Sequence, residues 1–125
     1  GKTNKVLVVD DDEVVCETAK AVLKDGFEVV SCMDGRNAVS AAKKEMPDLI
    51  LLDINLVGKN GFEVLEALKE DATVKDIPVM FLTGKGDKES VMAVLALRPE
   101  GYFLKNIQRD ELLEKLREYF ILHKK

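Results

Sequence analysis

Five short apolar runs, each followed by a stretch with helical spacing, constrain this chain more than any other feature. "KVLVV" (5–9), "FEVVSC" (27–32), "DLILLD" (48–53), "IPVMFLT" (77–83) and "GYFLK" (101–105) have strand length. The first is a continuous β-branched run and the third is the most apolar, as expected of parallel strands covered on both faces. Between them, Val14, Val15, Thr18, Ala19, Val22 and Leu23 recur at helical spacing, and Gly26 supplies a stop. Ala38, Val39, Ala41 and Ala42 suit a second helix running to Met46 and stopped by Pro47. Phe62, Leu65 and Leu68 give a third helix its inward face. A fourth covers 87–97, with Val91, Met92, Val94, Leu95 and Leu97 read as mostly core, an exposed partner patch being the alternative. Leu112, Leu113, Leu116, Tyr119 and Phe120 form the stripe of a last helix. Five such units predict an α/β fold: an open, doubly wound parallel sheet with helices on both faces and right-handed crossovers. Without internal repeats or low-complexity segments, residues 1–125 read as one domain with its core at about 5–123.

Composition agrees. The chain is 46% hydrophobic and 34% charged with three prolines, which places it among ordinary soluble proteins rather than disordered ones. No apolar stretch approaches the about 18 residues of a membrane span, and no signal-peptide pattern opens the chain, so a cytoplasmic setting is expected. Gly1 without a preceding Met reads as a tag remnant or an excised fragment, and residues 2–5 as a loose lead-in. Cys16 and Cys32 lack further ligands at zinc spacing and are expected to be packed, reduced thiols. Net charge is −4 with scattered basic residues, which argues against nucleic-acid binding by this domain.

In open parallel sheets, ligands bind beyond the carboxyl ends of the strands. Those ends are Asp10-Asp11-Asp12, Asp53-Ile54-Asn55, Thr83-Gly84 and Lys105-Asn106; the end of the second strand, Cys32-Met33, offers nothing polar. Two carboxylates about 4 Å apart repel by on the order of 4 kcal/mol at an effective dielectric of about 20, so their gathering needs a cause. Clustered carboxylates without histidine or thiolate favour a hard divalent cation, Mg2+ or Mn2+. An aspartate can also act as a nucleophile toward a phosphoryl group, given a metal and cations to neutralise the phosphoryl oxygens. Asp12 and Glu13 read differently, as acidic residues starting a helix. Taken singly, Thr83 would be a strand-end hydroxyl, Lys105 a solvated side chain and Tyr102 a core aromatic.

"VVDD" (8–11), "LLDINL…NG" (51–61), "FLTG" (81–84) and "YFLK" (102–105), in this order, resemble the receiver domain of two-component response regulators, of the chemotaxis-regulator type. The resemblance implies a flavodoxin-like (βα)5 fold with strand order 2-1-3-4-5. It also implies that Asp53 is the phosphoacceptor and that Asp10 and Asp11 are the acidic pair for Mg2+, Asp11 bound directly and Asp10 through water. Asn55 would offer its backbone carbonyl to the metal. Thr83 would be the switch hydroxyl, Lys105 the lysine that pairs with the phosphoryl group, and Tyr102 the aromatic that follows the hydroxyl inward. Lys85 and Asn55 stand at variable positions flanking the site, where the resemblance implies they tune dephosphorylation. Two residues depart from the family pattern. Asn106 replaces the usual proline after the lysine; a cis bond before a non-proline residue costs about 3–4 kcal/mol, so a trans or an unusually strained bond is expected. Val57 stands where a second proline is usual, and Arg98-Pro99 is also unusual.

The function implied is a phosphorylation-driven switch rather than an enzyme acting on an external substrate. Its partners would be a histidine kinase or phosphotransfer protein upstream and an output domain or protein downstream. It would be a monomer or a phosphorylation-dependent dimer, with no nucleic acid or membrane bound by this domain. Three other readings fit less. An aspartate-nucleophile phosphatase lacks the second Asp of its D-x-D motif. A nucleotide or flavin carrier lacks a glycine-rich loop after the first strand. A phosphorylation-independent pseudo-receiver would not need every chemical position filled.

Overall fold

The structure, a computed structural model, describes residues 3–56, 59–84 and 88–123, with backbone alone for 88–91. The chain runs β1 (Asn4–Val9), α1 (Glu13–Leu23), β2 (Phe27–Cys32), a 3-10 turn (Gly35–Asn37), α2 (Ala38–Glu45) and β3 (Leu49–Leu52). Then come α3 (Gly61–Glu70), β4 (Val79–Thr83), α4 (Lys88–Ala96), β5 (Gly101–Leu104) and α5 (Arg109–Leu122). The sheet is parallel throughout, in the expected order β2-β1-β3-β4-β5.

Why the strands read as continuous apolar runs is visible in the core. Val6 and Val8 of β1, Leu49 and Leu51 of β3 and Met80 of β4 join Cys16, Ala19, Leu23, Leu112 and Leu116 beneath α1 and α5. The alternate residues, Leu7, Val9, Ile50, Leu52, Val79 and Phe81, join Ala38, Ala42, Val64, Leu65, Leu68 and Val94 beneath α2, α3 and α4. Side chains alternate across a strand, so burial on both faces leaves no polar position within it.

Several expectations are corrected in detail. Asn4 and Lys5 belong to β1, not to a lead-in. Cys16, Ala19 and Leu23 form the buried stripe of α1, while Val14 is 71% exposed, because helical spacing alone does not say which of two adjacent apolar stripes faces the sheet. Helix α2 ends at Glu45; Met46 adopts a left-handed conformation, φ 44°, and donates its N–H to the Ala42 carbonyl before Pro47. β4 begins at Val79 rather than at 77, since Pro78 has no N–H for a ladder. In and just after α4, Val94 is buried and Leu97 packs against the core, whereas Met92 and Leu95, also expected in the core, are 61% and 55% exposed. Arg98, also left-handed at φ 52°, donates its N–H to the Leu95 carbonyl and ends that turn ahead of Pro99. Both cysteines are buried and free. Among the described residues no peptide bond is cis, the Lys105–Asn106 bond included, and no helix is long and apolar enough to cross a membrane. Val57, Lys85 and the side chain of Val91 lie outside the described residues.

Candidate functional site

The strand ladders continue for one residue beyond the strands and so fix the site's backbone. Asp10 donates its N–H to Cys32 O at 3.1 Å, Asp53 to Val9 O at 3.0 Å, and Lys105 to Thr83 O at 2.8 Å. These bonds set Asp10, Asp53, Thr83 and Lys105 side by side at the carboxyl end of the sheet, where a parallel fold leaves its crevice. Asp10, Asp53 and Thr83 are buried, at 1%, 4% and 0% exposure. They are the buried polar and charged residues among those described.

Lys105 Nζ lies between the two buried carboxylates, 2.8 Å from Asp10 Oδ2 and 3.2 Å from Asp53 Oδ2. The other Asp10 oxygen, Oδ1, accepts the Asp12 N–H at 2.9 Å. Asp53 Oδ1 is buried and has no hydrogen-bond partner among the described residues. A buried carboxylate oxygen left in that state is costly unless a cation or donor meets it. One oxygen from each of Asp10, Asp11 and Asp53 lies within 4.8 Å of the others. Three carboxylates gathered with no histidine or thiolate among them fit a hard divalent cation such as Mg2+ or Mn2+.

The electrostatics follow from burial. Loss of solvent pushes the Asp10 carboxyl above its ordinary value, helped by the Asp53 charge and opposed by Lys105 and the Asp12 N–H. For Lys105 burial acts downward, yet the Asp10 and Asp53 carboxylates together lift the ammonium above its ordinary value. One lysine charge thus faces more negative charge than it neutralises, which leaves room for a divalent cation.

The structure separates the three consecutive aspartates. Asp10 is buried in the site, Asp11 is half-buried at its edge, and Asp12 is the N-cap of α1, its Oδ1 accepting the Val14 N–H at 2.9 Å. The helix-start expectation for Asp12 and Glu13 therefore holds. Asn55 carries an exposed side chain. Tyr102 is half-buried against the core side that holds Phe81 and Leu52. Two backbone-level contacts also hold the site, one from Cys16, which belongs to no motif, and one from Gly61, the last residue of the 51–61 motif. Cys16 Sγ donates to Asp10 O at 3.4 Å, and Gly61, the first residue of α3, donates its N–H to Ile54 O at 2.8 Å.

Comparison with known proteins places this arrangement. Residues 6–117 match the family model of the response regulator receiver domain. The chain is 36% identical over 114 residues to the DNA-binding response regulator MtrA of Mycobacterium leprae, covering 90% of this chain but 49% of that protein. It thus spans about half the length of that relative. Among solved structures it resembles the chemotaxis protein CheY4 of Vibrio cholerae, at TM-score 0.84 and 30% identity, over 94% of this chain and 98% of that one. It also resembles the phosphorylated cyanobacterial phytochrome response regulator RcpA, at TM-score 0.77 and 28% identity, over 95% and 92%. With the ordered strand-end residues, the sheet order and the family model in agreement, the chain belongs to the response regulator receiver domains of two-component systems.

Proposed function

We propose that Asp53 accepts a phosphoryl group from the phosphohistidine of a histidine kinase or phosphotransfer protein, with Mg2+ held by Asp10, Asp11 and Asp53. The observation that carries this reading is the buried, unpartnered Asp53 Oδ1 beside Lys105 and the two other carboxylates. Asp53 Oδ1 attacks phosphorus as the P–N bond to the donor imidazole breaks, giving an acyl phosphate on Asp53 and returning the bonding pair to the imidazole nitrogen. Bound Mg2+ supplies neutralisation of the carboxylates and of the phosphoryl oxygens. Asp11, at the edge of the cluster, would bind the metal directly, and Asp10, which accepts the Asp12 N–H and pairs with Lys105, would act through water. Asn55 contributes its backbone carbonyl. Lys105 swings from Asp10 and Asp53 to pair with the phosphoryl oxygens, and the Thr83 hydroxyl donates a hydrogen bond to them.

Phosphorylation then biases a two-state equilibrium in which Thr83 turns toward the phosphoryl group and Tyr102 moves into the space behind it. The output face is built from α4, β5 and α5, where Met92, Leu95 and Leu104 stand exposed. The chain acts as one cytoplasmic receiver module, residues 1–125 with a core at 5–123. It passes its state to an output domain or partner protein, as a monomer or a phosphorylation-dependent dimer. It binds no nucleic acid or membrane itself, and its only chemistry is its own phosphorylation and dephosphorylation. Incubation with a small-molecule phosphodonor and Mg2+ is expected to add one hydroxylamine-labile phosphoryl group, measured by intact mass. Labelling of Asp53→Asn at the wild-type level would overturn the assignment.

A further inference from the structure

The end of β2 brings no polar side chain to the crevice, yet its backbone is bonded to Asp10, and the turn after it packs against Lys59. Cys32 O accepts the N–H of Asp10 at 3.1 Å. Cys32 Sγ then donates to Asp34 O at 3.2 Å, folding the chain into the 3-10 turn that starts at Gly35. Asp34 caps that turn: its Oδ1 accepts the Arg36 N–H at 2.9 Å, and its Oδ2 pairs with Arg36 Nη2 at 2.8 Å.

Gly35 is buried against the loop that follows the phosphoacceptor. A Cβ at position 35 would lie 2.5 Å from Lys59 O, with Leu56 Cδ1 and Val64 Cγ2 at 3.2 and 3.3 Å. Lys59 O is backbone, so it cannot turn aside as a side-chain tip would. The same loop is pressed from its far end by Gly61. A Cβ there would overlap Asp53 O and stand 2.7 Å from Ile54 Cα. Both glycines are therefore required by close backbone approach, Gly35 to Lys59 and Gly61 to Asp53 and Ile54.

Resting on the reading that Asp53 and Mg2+ form the working site, we infer that the Cys32–Gly35 turn is a positioning element. It joins Asp10, through Cys32 O, to the phosphoacceptor loop, through the contact of Gly35 with Lys59 O. It acts through the backbone of other residues and touches neither metal nor phosphoryl group. The carboxylate spacing of the site is thus set partly from the second strand, which contributes no ligand.

The test compares wild type, Gly35→Ala and Leu23→Ala. Leu23 is fully buried near the opposite end of the sheet, and its truncation lowers stability without touching the site. Three quantities are read: amide hydrogen exchange at Asp10 and Gly61 in metal-free protein, the Mg2+ dissociation constant, and the rate of phosphodonor labelling. Gly35→Ala is expected to speed exchange at both amides and to weaken Mg2+ binding and labelling by about tenfold, in the range seen when supports of metal ligands are removed. Leu23→Ala is expected to lower the unfolding midpoint while leaving exchange at the two amides, taken relative to core amides elsewhere in the sheet, as in wild type, along with Mg2+ affinity and labelling. Wild-type values in Gly35→Ala, or equal losses in Leu23→Ala, overturn the inference. If Gly35→Ala does not fold, Asp34→Ala takes its place, since it loosens the same turn and adds no atom near Lys59. It is expected to shift all three readouts in the same direction by a smaller factor, and unchanged readouts overturn the inference. Failure of wild type to bind Mg2+ or be labelled would instead overturn the functional reading, while the metal-free exchange still decides the role of the turn.

Discussion

Each end of the sheet holds one lysine between two carboxylates. At the amino end, Lys5 Nζ stands 3.2 Å from Glu45 Oε1 and 3.7 Å from Glu28 Oε2. At the carboxyl end, Lys105 Nζ stands 2.8 Å from Asp10 and 3.2 Å from Asp53. The two lysine side chains are nearly equally exposed, 26% and 27%. Their partners are not: Glu28 and Glu45 are 59% and 27% exposed, Asp10 and Asp53 2% and 4%. The candidate site is distinguished from the other trio by the burial of its acids, not by the presence of an ion pair or the placement of the lysine. Water screens the first trio and makes it nearly neutral in energy, whereas the second keeps its charges in a medium that cannot answer them.

The strongest way to break this comparison is to remove both lysines in turn. Lys105→Ala leaves two buried carboxylates facing each other and is expected to destabilise the metal-free protein by about 3 kcal/mol at neutral pH. Lys5→Ala is expected to leave the unfolding midpoint nearly unchanged, because water already screens its partners. Urea unfolding in a chelator measures both, and equal costs would mean that the two trios do not differ in kind. Added Mg2+ is expected to restore part of the loss in Lys105→Ala and none in Lys5→Ala.

Asp10→Asn is expected to have a smaller effect of opposite sign. The amide keeps an oxygen for the Asp12 N–H but removes one of the charges crowded around Lys105. The thermal midpoint of metal-free protein should rise, and the further rise on adding Mg2+ should shrink. A fall in the metal-free midpoint would show that the Lys105 pair outweighs desolvation and the Asp53 charge. Smaller still, Asp12→Ala removes only a helix cap, at about 1 kcal/mol. Its Mg2+ affinity and phosphodonor labelling should match wild type, and a weakened Mg2+ affinity would extend the site to the third aspartate.

Much of this was legible from the residues, for identifiable reasons. The central strands β1, β3 and β4 announced themselves because burial on both faces excludes polar residues from most of their length, and the strand ends located the crevice because ligands bind beyond the carboxyl ends of a parallel sheet. Which apolar residues of α1 and α4 face inward was less legible. Apolar residues of both helices extend beyond a single face, and the element packed against the helix decides which of them are covered. The role of Lys105 was visible as a charge; its closer approach to Asp10 than to Asp53 was not, since that depends on side-chain reach across three strands. The backing of the site by Gly35 left only an Asp-Gly turn in the sequence. Its partner, Lys59, lies 24 positions further along, and no periodicity links the two.

The continuation of the ladders beyond the strands has a consequence for how this chain tolerates changes in length. Asp10, Asp53 and Lys105 are placed by main-chain hydrogen bonds to Cys32, Val9 and Thr83, so their alignment is a property of strand register. Residues added where the chain passes from a helix into the next strand, at the amino end of the sheet, lengthen a bend and leave that register alone. One residue added within β1 would displace Asp10 by about 3.3 Å and exchange the faces presented by Val6 to Val9. The molecule is therefore elastic at one pole and indexed at the other, and a graft or permutation that respects this polarity would carry the carboxylates with it intact.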